Sequence, residues 1–427
     1  MKVLVVGAGG REHALSWKIS QSTLVTSVFV APGNGGTELE DHLTNVDIQA
    51  DDIEGLASFA LEQGIDLTIV GPEDPLVNGI TDRFNDLGLK CFGPSKGAAQ
   101  LEGSKEFMKD FLQRHHIPTA EYSSFSDTER AIEYVEQKGC PIVIKADGLA
   151  AGKGVTIAHT VEEAKEAIYQ SLESEVFGEA GKKIVIEEFL DGEEASFIVM
   201  TDGTNVIPFA SSQDHKALED NDKGPNTGGM GAYSPAPIVD EYVHEKIMNE
   251  IIFPTLKGLR KDGYKYCGFL YAGMMIDKNK KLKVLEFNCR FGDPETQPIM
   301  MRLKSDLASL CDKACDDNLI EQPLEWDSRK AIGVVLAARG YPHGYAKGKD
   351  ITNIPLEKDD LKIFHAGTKI ESNSLKSNGG RVLCVTSLGD SVESAQNKAY
   401  DAISEIEWED AFYRKDIGYR AIARERK

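Results

Sequence analysis

The first hundred residues constrain the fold more than any other stretch of the chain. Short apolar runs at 3–6, 28–30, 67–70 and 90–92 alternate with helical patterns at 12–20, 53–63 and 77–87. That alternation predicts a parallel sheet with helices on both faces. The turns after the runs are Gly7-Ala8-Gly9-Gly10-Arg11, Ala31-Pro32-Gly33-Asn34, Gly71-Pro72-Glu73-Asp74 and Gly93-Pro94-Ser95, and all fall on the carboxyl edge. Ligands of open α/β sheets bind over that edge, so a shared ligand is expected there. A dinucleotide fingerprint fails, because Glu12 stands at its third glycine and Ala31-Pro32 follows the next strand where a ribose-binding acid belongs. Arg11 and His13, at the start of a helix, suit a phosphate instead.

A second stretch, Pro141-Ile142-Val143-Ile144-Lys145-Ala146-Asp147-Gly148-Leu149-Ala150-Ala151-Gly152-Lys153-Gly154-Val155, reads as a buried strand, a glycine-rich turn and another strand. The β-branched run sets Lys145 on rigid backbone, and the glycines expose amide groups, which together suit phosphates. A solvated hairpin turn is the alternative. A Walker loop is excluded, since Gly154 follows Lys153 where a magnesium-binding hydroxyl is needed. Between about 101 and 325, strands are expected at 184–189, 195–201, 205–210, 268–276 and 282–288, and helices at 104–114, 161–172 and 241–259. From about 328 the pattern gives strands at 331–338 and 382–388 and a helix over 391–406. Residues 212–237, rich in charge and glycine, are either a flexible linker or an active-site loop.

At 427 residues the chain has room for about three domains of roughly 150 residues. A formal charge of −21 argues against non-specific nucleic-acid binding but leaves room for a local cationic cleft. Seven cysteines, an odd number without a CxxC pattern, read as reduced thiols. Cys311 and Cys315, one helical turn apart, read as a buried face in preference to a metal clip. The apolar run Met1-Lys2-Val3-Leu4-Val5-Val6-Gly7 is too short for the core of a secretory leader and runs directly into glycines, and no window approaches the roughly 20 apolar residues of a membrane span. A soluble, cytoplasmic protein is expected.

Three constellations carry chemistry. In Lys283-Val284-Leu285-Glu286-Phe287-Asn288-Cys289-Arg290-Phe291-Gly292-Asp293-Pro294-Glu295, strand alternation points Glu286, Asn288 and Arg290 together while Leu285 and Phe287 face the core. A carboxylate and an amide oxygen two residues apart suit Mg²⁺, and Arg290 suits a phosphoryl group; a chance polar face on an edge strand is the alternative. In Lys183-Ile184-Val185-Ile186-Glu187-Glu188-Phe189-Leu190-Asp191-Gly192-Glu193-Glu194, a strand leads into a hinge able to read an adenine edge, or into a plain acidic turn. The third joins Ser211-Ser212-Gln213-Asp214-His215-Lys216 to Gly224-Pro225-Asn226-Thr227-Gly228-Gly229-Met230-Gly231, which is either an anion-binding loop or a solvated one.

Together with Leu101-Glu102-Gly103-Ser104-Lys105, these words resemble those of the glycinamide ribonucleotide synthetase family of ATP-grasp ligases, from Met1 to the C-terminus. The resemblance implies an α/β and α+β multidomain protein. A Rossmann-like parallel-sheet domain would span 1–100, an ATP-grasp domain 101–326 with a mobile lid at about 122–188, and a small C-terminal α/β domain 327–427. It implies ATP as co-substrate gripped by Lys105, Lys145, Gly148, Gly152, Lys153, Gly154, Glu187, Glu188, Phe189, Leu190 and Glu194, with Gly152-Lys153-Gly154 as a flap. Mg²⁺ or Mn²⁺ would sit on Glu286 and Asn288, and Arg290, Asp214 and Lys216 would be catalytic. Gly9, Gly10, Arg11, Gly33, Asn34, Pro72, Glu73, Asp74, Thr227, Gly228 and Gly229 would bind the other substrates, glycine and 5-phosphoribosylamine. Neither nucleic acid nor membrane would be a partner, and the chain would act as a monomer. Another ATP-grasp carboxylate–amine ligase is the alternative. The chain departs from the family pattern at Ala217, where arginine is common, and at Gly35, where alanine is usual.

Overall fold

The computed structural model describes residues 1–149, 154–174 and 181–426. Its N-terminal sheet runs in the order Leu43–Asn45, Ser27–Pro32, Lys2–Gly7, Leu67–Val70, Cys91–Phe92, and every neighbouring pair is parallel. Val3, Leu4, Val5 and Val6 are all fully buried, as an apolar run covered on both faces must be. Alternation divides them between two cores, Val3 and Val5 on one face and Leu4 and Val6 on the other. The order reverses about the central strand Lys2–Gly7, which opens a crevice at its carboxyl end. Two features differ from the sequence reading. The polar run Leu43–Asn45 forms an edge strand, and the helix expected at 77–87 is two helices, Glu73–Asn78 and Ile80–Asp86. Gly79 divides them because its φ of 95° is left-handed.

The centre of the chain builds two antiparallel sheets. One has the order Val206–Pro208, Glu193–Thr201, Gly268–Ile276, Leu282–Asn288. The other has the order Tyr122–Phe125, Ile184–Glu188, Ile142–Ala146, Val155–Ala158. Helices Thr128–Lys138 and Val161–Leu172 cover one face of the second sheet, burying Ile142, Ile144, Ile184 and Ile186. Period-two alternation then turns Val143, Lys145 and Glu187 to the opposite face. The helix expected at 241–259 carries a π turn at Met248–Ile252 just before Pro254, which has no N–H to continue the α pattern.

Residues 212–237 are not a linker. Gln213–Asp214 and Gly231–Ser234 pair into the C-terminal sheet, in the order Gln213–Asp214, Gly231–Ser234, Lys330–Ala338, Arg381–Gly389, Leu361–His365. Helix Val392–Glu405 packs on that sheet, with Ser391 accepting a hydrogen bond from the Ser394 amide as its N-cap.

Candidate active site

A cavity of about 480 Å³ opens where the four sheets meet. Its floor is the strand Leu282–Asn288, and one expectation about that strand is corrected. Opposite it Gly273 pairs with Glu286 but Met274 pairs with Val284, so Leu285 is a bulged residue without a partner. Alternation slips there, and Leu285 lines the cavity while Val284 and Phe287 fill the core. Glu286 and Asn288 reach the cavity as expected.

Two lysines meet over the floor. Ser104 caps the helix Lys105–Arg114 by accepting from the Phe107 amide at 3.1 Å, and Lys105 at its start donates to the Gly148 carbonyl at 2.7 Å. Burial and the nearby Lys145 lower the Lys105 ammonium. Lys145 donates to the Leu285 carbonyl at 3.2 Å and lies 3.0 Å from Glu187. The other oxygen of Glu187 lies 3.0 Å from Lys109, which burial pulls down to about 8 against the pull of Glu187.

Glu286 is held down to about 2, chiefly by Lys216 at 3.4 Å and then, against the cost of burial, by Lys145, Arg290 and Lys105. Burial would lower Lys216, yet Glu194 at 2.8 Å, Glu286 and Asp214 raise it well above the usual range. Burial lifts Asp214 to about 8 despite Lys216, with Glu295, Glu194 and Glu286 pushing the same way. Arg290 is clamped by Glu102 at 2.6 Å and Glu73 at 3.2 Å. Burial raises Glu102 to about 7 although Arg290 opposes it, whereas Arg290 and Arg11 overcome burial at Glu73 and hold it at about 2. An ionised carboxylate and an amide oxygen side by side are hard donors that fit a Mg²⁺-class ion. Among the described residues no group of three or more His, Cys, Asp or Glu could hold a metal.

Most of the residues singled out by sequence come together here. Arg290, Asp214, Lys216, Lys105, Lys145, Gly148, Gly154, Glu187, Glu188, Phe189, Leu190, Glu194, Arg11, Glu73, Thr227, Gly228, Glu286 and Asn288 all line the cavity. Glu188 turns its carboxylate to Lys283 and the Glu121 amide. Val143, Val155, Ile157 and Met275 join Phe189 and Leu190 as an apolar wall suited to a flat ring. Gly152 and Lys153 lie outside the described residues.

Other expected residues sit beside the cavity, for identifiable reasons. A Cβ on Gly10 would come within 2.6 Å of Gln297, and Gly9 precedes the helix Gly10–Ser20 with its amide bound to Glu12. Asn34 caps the helix Gly35–Leu39, accepting from the Gly36 and Thr37 amides and donating to the carbonyls of Ala8 and His365. Gly33, Pro72, Asp74 and Gly229 are likewise off the wall. His13 is no phosphate ligand: it is 1% exposed, with Nε2 at 3.2 Å from Glu40 and Nδ1 accepting from the His365 amide.

Sequence reasoning missed residues brought in from far along the chain. Tyr341 accepts from the Gly228 amide through its hydroxyl, and Arg381 donates to the carbonyls of Gly228 and Asp293 at 2.6 Å each. Neither lies in a recognisable motif. Glu102, Asp293 and Glu295 did lie inside quoted words, and all three line the cavity. At the departure from the family pattern, the Ala217 carbonyl accepts from the fully buried Arg414, which also pairs with Asp222 and Asp416.

Two antiparallel sheets closing on a slot with lysines above and hard oxygen donors below form the ATP-grasp arrangement. In fold the chain resembles the biotin carboxylase of Campylobacter jejuni solved with β,γ-ATP, at a TM-score of 0.76 and 15% identity over 97% of this chain and 93% of that one. The family models for phosphoribosylglycinamide synthetase match most of the chain: the N domain at residues 1–102, the ATP-grasp (A) domain at 103–296 and the C domain at 331–420. The chain is 61% identical over 427 residues to the phosphoribosylamine–glycine ligase of Escherichia coli O157:H7, and 60% over 428 residues to that of Vibrio vulnificus strain CMCP6. Both alignments cover 100% of each chain. The crystal structure of the phosphoribosylamine–glycine ligase of Thermotoga maritima superposes at a TM-score of 0.83 with 35% identity, over 98% of this chain and 100% of that one. The chain belongs to the phosphoribosylglycinamide synthetase family.

Proposed function

We propose that the protein joins glycine to 5-phosphoribosylamine at the expense of ATP, giving glycinamide ribonucleotide, ADP and phosphate in purine biosynthesis. One observation carries this reading: a single cavity collects Lys105 from a helix start, Lys145 from one strand, and Glu286, Asn288 and Arg290 from another strand and the turn after it, in a chain alike over its whole length to ligases of that name. The chemistry divides into two steps. The glycine carboxylate attacks the γ-phosphorus and ADP leaves; the amine nitrogen then attacks the glycyl phosphate carbon and phosphate departs.

Each step brings anions together. Lys105 and Lys145 offset phosphate charge, and Arg290, fixed by Glu102 and Glu73, adds a cation already in place. The wall of Phe189, Leu190, Ile157 and Met275 takes the adenine, and Glu194 the ribose. Glu286 and Asn288 would hold Mg²⁺ or Mn²⁺, whose chemistry there is to neutralise phosphate charge. Asp214 lines the same cavity; burial raises it to about 8, so in this reading it takes the amine's proton only in its ionised form, and its contribution grows as pH rises. Among the described residues no helix is long and apolar enough to cross a membrane. We place the protein in the cytoplasm as a monomer acting on small molecules.

The test is ADP release with each substrate omitted in turn. Release that requires both glycine and phosphoribosylamine is expected; equal release with another amino acid in place of glycine would sink the assignment.

A further inference from the structure

We propose that Lys109 is a positioning residue for the ATP phosphates, acting through Glu187 on Lys145. The inference rests on the reading of the cavity as the ATP site, and goes beyond it by assigning a part to a side chain that never reaches that cavity. Lys109 is fully buried, one helical turn after Lys105. Its ammonium lies 3.0 Å from Glu187 and donates at 2.7 Å to the Thr119 hydroxyl, which in turn donates to the Val284 carbonyl at 2.8 Å. One side chain therefore ties together the helix of Lys105, the sheet of Lys145 and Glu187, and the strand that carries Glu286 and Asn288.

Charge gives this junction its consequence. Glu187, 2% exposed, bridges two ammonium groups at 3.0 Å each. The three groups sum to one positive charge, and Lys145 is the member on the cavity wall. Without Lys109 the carboxylate belongs to Lys145 alone, the pair is neutral, and the charge facing a phosphate falls by one. In a low-dielectric site that loss is felt directly. Burial also makes an accidental ammonium here improbable, because an unpaired one is too costly to keep.

The experiment is a double-mutant cycle read by calorimetric titration with MgADP and by steady-state kinetics. Lys109→Met is expected to weaken MgADP and raise KM for ATP by about tenfold or more, with KM for glycine unchanged. In a Glu187→Gln background the same substitution is expected to cost less than about twofold, since the path runs through Glu187. Equal costs in both backgrounds, or unchanged MgADP affinity in Lys109→Met, would overturn the proposal. If Lys109→Met alone does not fold, the double variant, which removes both the buried cation and its partner, is compared with Glu187→Gln; weaker MgADP binding by the double variant would overturn the proposal and equal binding supports it. MgADP affinity does not depend on which carboxylate and amine are joined, so failure of the substrate assignment would show separately, in the omission assay.

Discussion

At the scale of single residues, Glu286 is the pivot of the cavity. Three lysines and an arginine hold it ionised, and it reaches the cavity beside Asn288. Its side chain is 42% exposed, so it takes no part in core packing. Glu286→Ala is expected to lower turnover by at least about a hundredfold, as removal of charge stabilisation worth several kcal/mol requires, while the protein still folds with a modest loss of thermal stability near neutral pH from the cations left without their carboxylate. Steady-state kinetics beside calorimetry checks this; retained turnover would remove the metal role. Glu286 and Asn288 were legible in the sequence because strand alternation is local. Leu285 was not, because the bulge that turns it inward depends on its register against Gly273, which nothing in its own neighbourhood encodes. Asn34, which the resemblance assigns to substrate binding, is engaged by its own backbone as a helix cap, a role its local sequence does not distinguish from a ligand's.

At the scale of elements, the cavity is set by how helix starts and strand ends are pinned. Ser104 caps the helix of Lys105 and donates to Asp147, which also accepts from the Glu106 amide at 3.2 Å. That contact joins the helix to the end of the strand that carries Lys145. Ser104→Ala is expected to cost about 1 kcal/mol of stability and to raise KM for ATP without changing KM for glycine. Denaturant titration and kinetics read the two effects, and equal changes in both KM values would contradict it. The parallel N-terminal sheet and the strand–turn–strand of Lys145 were legible from periodicity and glycine placement. The path of residues 212–237 was not, since its short strands gain their partners from a sheet formed by residues about a hundred positions later.

At the scale of the whole molecule, the N- and C-terminal regions meet through buried titratable groups. His13 packs edge-on against Phe364, and Glu40 lies beside His13 and Lys362. Burial lowers His365 to about 3, and His13 moves the same way. Burial would raise Glu40, yet His13 and Lys362 hold it at about 2. A histidine kept neutral contributes stability that is complete above its unfolded pKa near 6.5 and lost as pH falls toward 3. Glu40 contributes above about 4.5 and loses its share as pH falls toward 2. Asp214 and Glu102, raised by burial, act in the opposite sense as pH rises. The informative quantity is therefore a difference between proteins. His365→Gln is expected to flatten the fall in stability between pH 6.5 and 4.5 by up to about 1.4 kcal/mol per pH unit, read by thermal unfolding across that range. Parallel curves would contradict it.

The central claim is that this cavity passes the glycine carboxylate through an acyl phosphate. Glycine labelled with heavy oxygen in its carboxylate tests that most directly, with the released phosphate read by mass spectrometry. In the two-step path a carboxylate oxygen bridges to phosphorus and leaves with it, so one labelled oxygen is expected in each phosphate. Unlabelled phosphate, with the amide formed, would contradict the account.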